Sequence, residues 1–123
     1  MHSVIVWFEL PVTDLDRAET FYGAVLGHPL RREHSPDGAL EMSVFDPPGA
    51  EIKGALVKGD NFVPAPNGTL VYLHAGDDLA APLARVEKAG GTVVMPKTAI
   101  GPYGHIAIFT DSEGNRVGLH SMN

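Results

Sequence analysis

The stretch VTDLDRAETFYGAVLG, residues Val12 to Gly27, recurs later in the chain as GDDLAAPLARVEKAGG, residues Gly76 to Gly91. Both copies have an Asp-Leu pair near the start, apolar residues at helical spacing and a glycine at the end. A second match follows in the same order and pairs SVFDPPG (Ser43–Gly49) with IFTDSEG (Ile108–Gly114). Two copies of a mixed unit predict one domain whose halves share a core, because a solenoid needs more repeats than this.

Each copy predicts one helix. In the first, apolar residues recur three and four positions apart, Thr13 or Asp14 is placed to cap the start, and Gly27 is placed to cap the end. In the second, Asp78 is the candidate N-terminal cap and the pair that begins at Gly90 ends the helix.

Runs of apolar and β-branched residues predict eight strands around these helices, in the order β-α-β-β-β, twice. Residues 58–68 between the copies are rich in Pro, Gly and Asn and predict a linker. We therefore expect a single domain over residues 1–123, made of two modules at about 1–58 and 68–123. The predicted strands are Val4–Val12, Pro29–His34, Leu40–Phe45, Ile52–Val57, Thr69–Ala75, Thr92–Met95, His105–Phe109 and Arg116–His120.

Composition limits the function. A chain of 123 residues with 44% hydrophobic content is the size of one ordinary domain. Its formal net charge of −6 argues against nucleic acid or an anionic membrane as the partner, because both attract basic surfaces. The absence of cysteine excludes disulfides, thiolate metal sites and a cysteine nucleophile. A neutral or cationic small ligand remains open. No leader or membrane-spanning pattern is present, so we expect a soluble cytoplasmic protein.

Three stretches together resemble the vicinal oxygen chelate superfamily, which includes glyoxalase I, extradiol dioxygenases and bleomycin- and fosfomycin-resistance proteins. They are FELPVTDLDRAETFYGAVLG, AGDDLAAPLARVEKAGG and DSEGNRVGLH. The resemblance implies an α+β fold in which two βαβββ modules form a curled, cup-like eight-stranded mixed sheet with helices outside, the glyoxalase/bleomycin resistance/dioxygenase fold. It also implies a small molecule in the concave interior, often at a dimer interface, and in many members a divalent metal held by four side chains.

The resemblance assigns metal ligands to the first and last strand of each module. In this chain those positions fall on Trp7, Val71 and Gly118, and the fourth falls near Lys53 or Gly54. Zinc, nickel and iron sites need imidazole nitrogen or carboxylate oxygen, which Trp, Val and Gly do not supply. We therefore expect no metal and no other cofactor. Gly118 is expected to leave room in the cavity where relatives carry a ligand carboxylate.

Alternation of side chains along the strands gives the candidate catalytic residues. It places Trp7, Glu9 and Pro11 on the concave face of the first strand, and Gly118 and His120 on that of the last. If Glu9 and His120 lie close together, they form either an acid/base pair or a polar clamp for a ligand. The alternatives are a buried pair that satisfies itself, or a histidine at the end of its strand near solvent.

The candidate ligand-binding residues are Trp7, Tyr103, His105 and Gly118. Trp7 is the single tryptophan and suits stacking on a flat or cationic ligand, although a core role is also open. Tyr103 lies between glycines in a loop that is able to close over a ligand, and His105 follows it in what is also an ordinary hairpin connection. His74 is expected to be a core histidine.

The leading interpretation is a metal-independent small-molecule-binding protein, either an enzyme or a drug- or metabolite-binding protein, whose pocket is lined by Trp7, Glu9, Tyr103 and His120. A second is a metal-dependent lyase, isomerase or dioxygenase with its ligands shifted to Glu9, His120 and either Glu41 or His105. A third is a structural or regulatory dimer with a vestigial pocket. We expect a homodimer in each case, because one curled sheet of this size leaves strand edges and an open cavity.

Overall fold

Helices and strands follow one another in the predicted order, twice. The computed structural model describes residues 3–123, and its first module contains β1 (Trp7–Pro11), α1 (Leu15–Leu26), β2 (Arg31–His34), β3 (Glu41–Phe45) and β4 (Lys53–Lys58). The second module contains β5 (Tyr72–His74), α2 (Ala80–Ala89), β6 (Thr92–Ala99), β7 (His105–Thr110) and β8 (Arg116–Ser121), with a short 3-10 turn at Gly101–Tyr103. The predicted α+β class and the repeated βαβββ order are confirmed.

Each module forms its own four-stranded mixed sheet. The strand orders are β1-β4-β3-β2 and β5-β8-β7-β6. In both sheets the first and last strands of the module pair in parallel, and the other pairs are antiparallel. The equivalent topology of the two sheets is the structural counterpart of the sequence repeat.

Three of the four helix ends follow the predicted caps. The Asp14 carboxylate accepts the backbone N–H of Arg17 at 3.0 Å, and Gly27 ends α1 at φ 82°. In the second module the prediction of Asp78 as the cap is wrong, because the N-cap of α2 is Leu79, which makes no side-chain capping bond, and the Asp78 carboxylate instead accepts the N–H of Ala80 at 2.9 Å just before the helix. The predicted C-terminal end of α2 at Gly90 is found. A left-handed residue at the end of a helix strongly favours glycine, because glycine lacks the Cβ that makes this conformation costly.

The structure corrects the alignment of the two modules by one residue. Val12 donates its backbone N–H to the Val57 carbonyl, and in the second module Ala75 donates to the His120 carbonyl. Val12 therefore corresponds to Ala75 and not to Gly76. The sequence match follows the two helix starts, whereas the strand before α2 is joined to it by one extra residue.

The two modules share one hydrophobic core. The face of each sheet that packs against the helices, called here the helix face, contributes to it together with α1 and α2. Aromatic contacts cross the module boundary, since the rings of Phe21 in α1 and Phe109 in β7 lie 5.8 Å apart. The largest fully buried members are Phe21, Tyr22, Phe109, Leu56, Leu79, Leu119, Val12, Val25, Val86 and Val117.

The other face of each sheet, called here the open face, is only partly covered. On the first sheet Val44, Ala55 and Val57 are buried there beneath Leu40, Met42 and Phe62, the last of which belongs to the segment between the modules. The strand alternation predicted for β1 is found, because Leu10 and Val12 lie in the core while Trp7 and Glu9 are exposed. His74 is exposed and pairs in register with His120, so the prediction of a core histidine is wrong.

The turn after β7 joins the modules. The Glu113 side chain, which has no exposed surface, accepts the backbone N–H groups of Thr13 and Asp14 and forms an ion pair with Arg17 at 2.7 Å. Burial by itself would raise the pKa of Glu113, but these hydrogen bonds outweigh burial and lower the pKa from 4.5 to about 2. The carboxylate thus caps α1 from the opposite module.

A second polar link lies beside it. The Tyr22 hydroxyl donates to the buried Asp111 carboxylate at 2.7 Å. Burial and the adjacent Asp111 charge raise the pKa of Tyr22 well above its ordinary value. The Asn115 amide donates to the Pro11 carbonyl at 2.7 Å, so the same turn also fixes the end of β1.

Both helices are short, and neither offers an apolar stretch of the length needed to cross a bilayer in the part of the chain that the structure describes.

Candidate functional site

The open face of the first sheet carries a tryptophan held by a carboxylate. The Trp7 indole N–H donates to Oε2 of Glu9 at 3.2 Å, and Trp7 remains 42% exposed. The two side chains lie on the same face of β1 because they are two residues apart. This contact orients the indole ring and leaves one face of an aromatic side chain available to a ligand.

On the open face of the second sheet, Tyr72 and Gly118 are partners in the parallel β5–β8 pair. A Cβ added to Gly118 would lie 2.2 Å from the Tyr72 ring. The space beside Gly118 is therefore filled by this ring, and the prediction of an empty volume left for a ligand is wrong. Glycine is required here because the aromatic ring lies directly across the β8 backbone.

His120 holds the loop before β7. Its Nε2 lies 2.6 Å from the Tyr103 carbonyl oxygen. A carbonyl only accepts, so Nε2 carries the hydrogen and donates it, which leaves Nδ1 as the ring atom free for other chemistry. Tyr103 is 73% exposed, and His120 holds its backbone carbonyl.

His105 lies on the helix face, since it alternates with the buried residues Ala107 and Phe109 along β7. Its Nδ1 is buried and has no hydrogen-bond partner among residues 3–123. Strand alternation turns the His105 side chain away from the open face, so the structure does not bring it together with Trp7 and Glu9.

Glu9 and His120 do not form the predicted pair within one chain. They lie on different sheets, and in the described residues neither hydrogen-bonds to the other. The Glu9 carboxylate instead accepts from Trp7, and the His120 ring donates to Tyr103. The structure therefore gives Glu9 and His120 separate partners rather than a shared hydrogen bond.

The corrected register changes the positions that correspond to metal ligands in the resemblance. Trp7 remains one of the four positions. Its counterpart in the second module is Leu70, just before β5, because the corrected register moves the match by one residue. Val71, the residue predicted from the sequence, packs against the core. The counterpart of Gly118 becomes Ala55, because Ala55 pairs with Val44 as Gly118 pairs with Ile108. Indole, alkyl groups and glycine supply no metal donor, so these residues do not fit a divalent ion.

Shifted ligands are not assembled in one chain either. Within residues 3–123, no three side chains of His, Asp or Glu lie together in a group able to hold a metal ion. Glu41 starts β3 opposite Lys58, whereas Glu9 pairs with Ala55 farther along β4, and His120 lies on the other sheet.

A cavity of about 660 Å³ lies between the modules, with residues of the helix face in its apolar wall. Its apolar wall consists of Phe8, Phe45, Leu73 and Ala75, and Arg85 stands at its edge. The sequence did not predict it, because its lining comes from six separate elements (β1, α1, β3, β4, β5 and α2) and from the loops beside them. The remaining lining residues are Leu26, His28, Pro47, Pro48, Gly49, Ala50, Glu51, Ile52, Lys53, His74, Gly76 and Pro82.

Comparison with known proteins gives consistent matches. The family model described as the Glyoxalase/Bleomycin resistance protein/Dioxygenase superfamily matches residues 4–119. The Mycobacterium tuberculosis protein CFP32 is 32% identical over 122 residues, which are 95% of this chain and 45% of that protein. This chain thus spans about half the length of that relative.

Two solved structures from Streptomyces sp. CB03234 match over nearly their full length. A glyoxalase/bleomycin resistance protein has a TM-score of 0.71 and 30% identity, covering 94% of this chain and 98% of its own. TnmS3, described as an antibiotic binding protein, has a TM-score of 0.66 and 29% identity, covering 99% of this chain and 100% of its own.

Proposed function

The chain belongs to the Glyoxalase/Bleomycin resistance protein/Dioxygenase superfamily, and on that premise we propose that it binds a flat, neutral or cationic organic molecule without the help of a metal. The observation that carries the proposal is the exposed Trp7 ring held by Glu9 on the open face. The similarity to an antibiotic binding protein supports a binding role, and the net charge of −6 favours a ligand that is not an anion.

A binding role is favoured over catalysis by the way the polar groups are used. The Nε2–H of His120 donates to the Tyr103 carbonyl, and the Glu9 carboxylate accepts from the Trp7 indole N–H. The first contact holds the Tyr103 backbone and the second orients the Trp7 indole. An aromatic ring over a cationic ligand contributes about 0.5 to 2 kcal/mol.

Trp7 also provides the experiment, since it is the single tryptophan and its fluorescence reports on this face alone. We expect 9-aminoacridine, a flat aromatic cation, to quench it saturably, and calorimetry to give the same dissociation constant. Glu9→Gln should weaken this binding severalfold. The melting temperature of this variant should be unchanged or slightly higher, because the substitution removes an exposed charge rather than a packed group. The matched control is Glu87→Gln on the exposed face of α2, which should bind as the parent does. Equal binding by parent and Glu9→Gln would contradict the proposal.

We propose that the binding cup is completed by a second copy of the chain. Val4, Val6 and Trp7 are exposed apolar residues next to β1, which is an edge strand, and Tyr72 is exposed on the edge strand of the other sheet. An exposed apolar edge strand is a site for pairing with another chain. Light scattering is expected to give twice the 13.1 kDa chain mass at micromolar concentration. A monomer under these conditions would remove the second copy from the proposal.

We also propose that the protein holds no tightly bound transition metal, because Trp7, Leu70, Ala55 and Gly118 supply no donor. Elemental analysis of protein kept away from chelators and nickel resin is expected to give far less than one equivalent per chain. About one equivalent of zinc, iron, nickel or manganese that is lost in Glu9→Ala or His120→Ala would favour the metal-dependent alternative.

A further inference from the structure

The helix-face cavity has the size of a ligand site. Its volume of about 660 Å³ lies within the roughly 300 to 1,000 Å³ typical of pockets that hold small molecules. The rings of Phe8 and Phe45 form one wall, with centroids 5.5 Å apart, and Leu73 and Ala75 form another. These residues give the cavity an apolar interior that fits a flat hydrocarbon body.

The Phe8 ring is held in place by Gly54. The two residues are partners in the parallel β1–β4 pair, and a Cβ on Gly54 would lie 2.3 Å from the ring. Because Gly54 has no side chain, the ring lies across the β4 backbone instead of turning into the cavity. The cavity therefore depends on a specific packing arrangement in its wall.

Arg85 provides a fixed cation at the edge of this apolar space. Its Nε and Nη2 donate to the Val25 carbonyl at 3.1 and 2.8 Å, which anchors the guanidinium against the end of α1. Across residues 3–123 it forms no ion pair with a carboxylate, whereas Lys53, also in the lining, is paired with Asp46 at 2.9 Å. Guanidinium has five N–H donors, so donors remain for an anion.

Two further lining groups bear on the charge of a ligand. Nδ1 of His74 accepts the backbone N–H of Gly76 at 3.0 Å, which leaves the ring hydrogen on Nε2 as a donor. Glu51 is the one carboxylate among the lining residues, and it sits on the exposed loop between β3 and β4. The donors at the cavity edge therefore favour an anion over a cation.

We propose that this cavity is a second ligand site, which takes a small aromatic carboxylate. The ring system packs against Phe8 and Phe45, and the carboxylate accepts from the Arg85 guanidinium. The site does not depend on the proposed function of the open face, because its apolar wall comes from Phe8, Phe45 and Leu73 of the helix face and the two sites select ligands of different charge.

The test is a calorimetric titration of the whole chain with 2-naphthoate and with its neutral analogue naphthalene-2-carboxamide. We expect one saturable 2-naphthoate site per chain. Arg85→Gln should weaken 2-naphthoate binding about tenfold to hundredfold, the usual effect of losing a hydrogen bond to a charged group, and leave the carboxamide within about twofold. Ala50→Trp, at the loop that borders the cavity, should abolish the binding of both probes.

Three results would overturn the proposal: no saturable binding, an equal loss of both probes in Arg85→Gln, or loss of 2-naphthoate in Glu9→Gln with no effect of Ala50→Trp. Melting curves identify any variant that has lost its fold. If Arg85→Gln unfolds because the Val25 carbonyl loses its donors, Arg85→Lys keeps the charge and should still weaken 2-naphthoate more than the carboxamide. A failure of 9-aminoacridine binding leaves these outcomes unchanged, so the two sites are tested separately.

Discussion

Replacing Glu113 by Gln is expected to lower the free energy of unfolding at pH 7 by about 3 kcal/mol, the energy equivalent of a pKa lowered from 4.5 to about 2. The charged carboxylate accepts the Thr13 and Asp14 N–H groups and the Arg17 guanidinium, all of which are donors. Gln keeps the shape of the side chain but loses the charge and turns an amide N–H₂ toward those donors. Urea denaturation of the parent and the variant at pH 7 measures the difference.

The stability difference between the parent and Glu113→Gln should become smaller at low pH. Because the folded-state pKa of Glu113 lies below its ordinary value, the stabilisation is complete above about pH 4.5 and is lost as the pH falls toward 2. The difference in stability between the parent and Glu113→Gln should therefore shrink across that interval. Glu87→Gln, at an exposed position of α2, should stay within about 0.5 kcal/mol of the parent at every pH. A Glu113→Gln effect below about 1 kcal/mol, or one that does not change with pH, would show that the carboxylate is not the cap that its contacts indicate.

Local patterns predicted most of the fold because they depend on neighbouring residues. The helical spacing of Leu15, Ala18, Phe21 and Tyr22 determines which side of α1 is buried, and all four residues are in the core. Alternation along β1 likewise separates Leu10 from Glu9. These periodicities follow from backbone geometry and need no knowledge of the rest of the chain.

The candidate site was harder to predict, because it depends on how distant segments are placed. A shift of one residue between the modules is enough to exchange Val71 for Leu70, and with that shift the predicted side chain moves from one face of the sheet to the other. Whether Glu9 and His120 share a cavity depends on the relative position of two sheets, for which the sequence carries no local signal. The cavity beside Arg85 is built from both modules and from a loop, and for this reason it was not predicted.

The Tyr72 ring packs over Gly118, so the two residues should be energetically coupled. Gly118→Ala should destabilise the fold by about 2 kcal/mol, because the new Cβ would lie 2.2 Å from the Tyr72 ring and force it off the β8 backbone. In the background of Tyr72→Ala the same substitution should cost little or be stabilising, since the ring is gone and alanine replaces a glycine within a strand. The four proteins form a double-mutant cycle, measured by urea denaturation, with an expected coupling of about 1 to 3 kcal/mol. If Gly118→Ala costs the same with and without the Tyr72 ring, the glycine is required for another reason, and a ligand or a second chain approaching β8 becomes the better explanation.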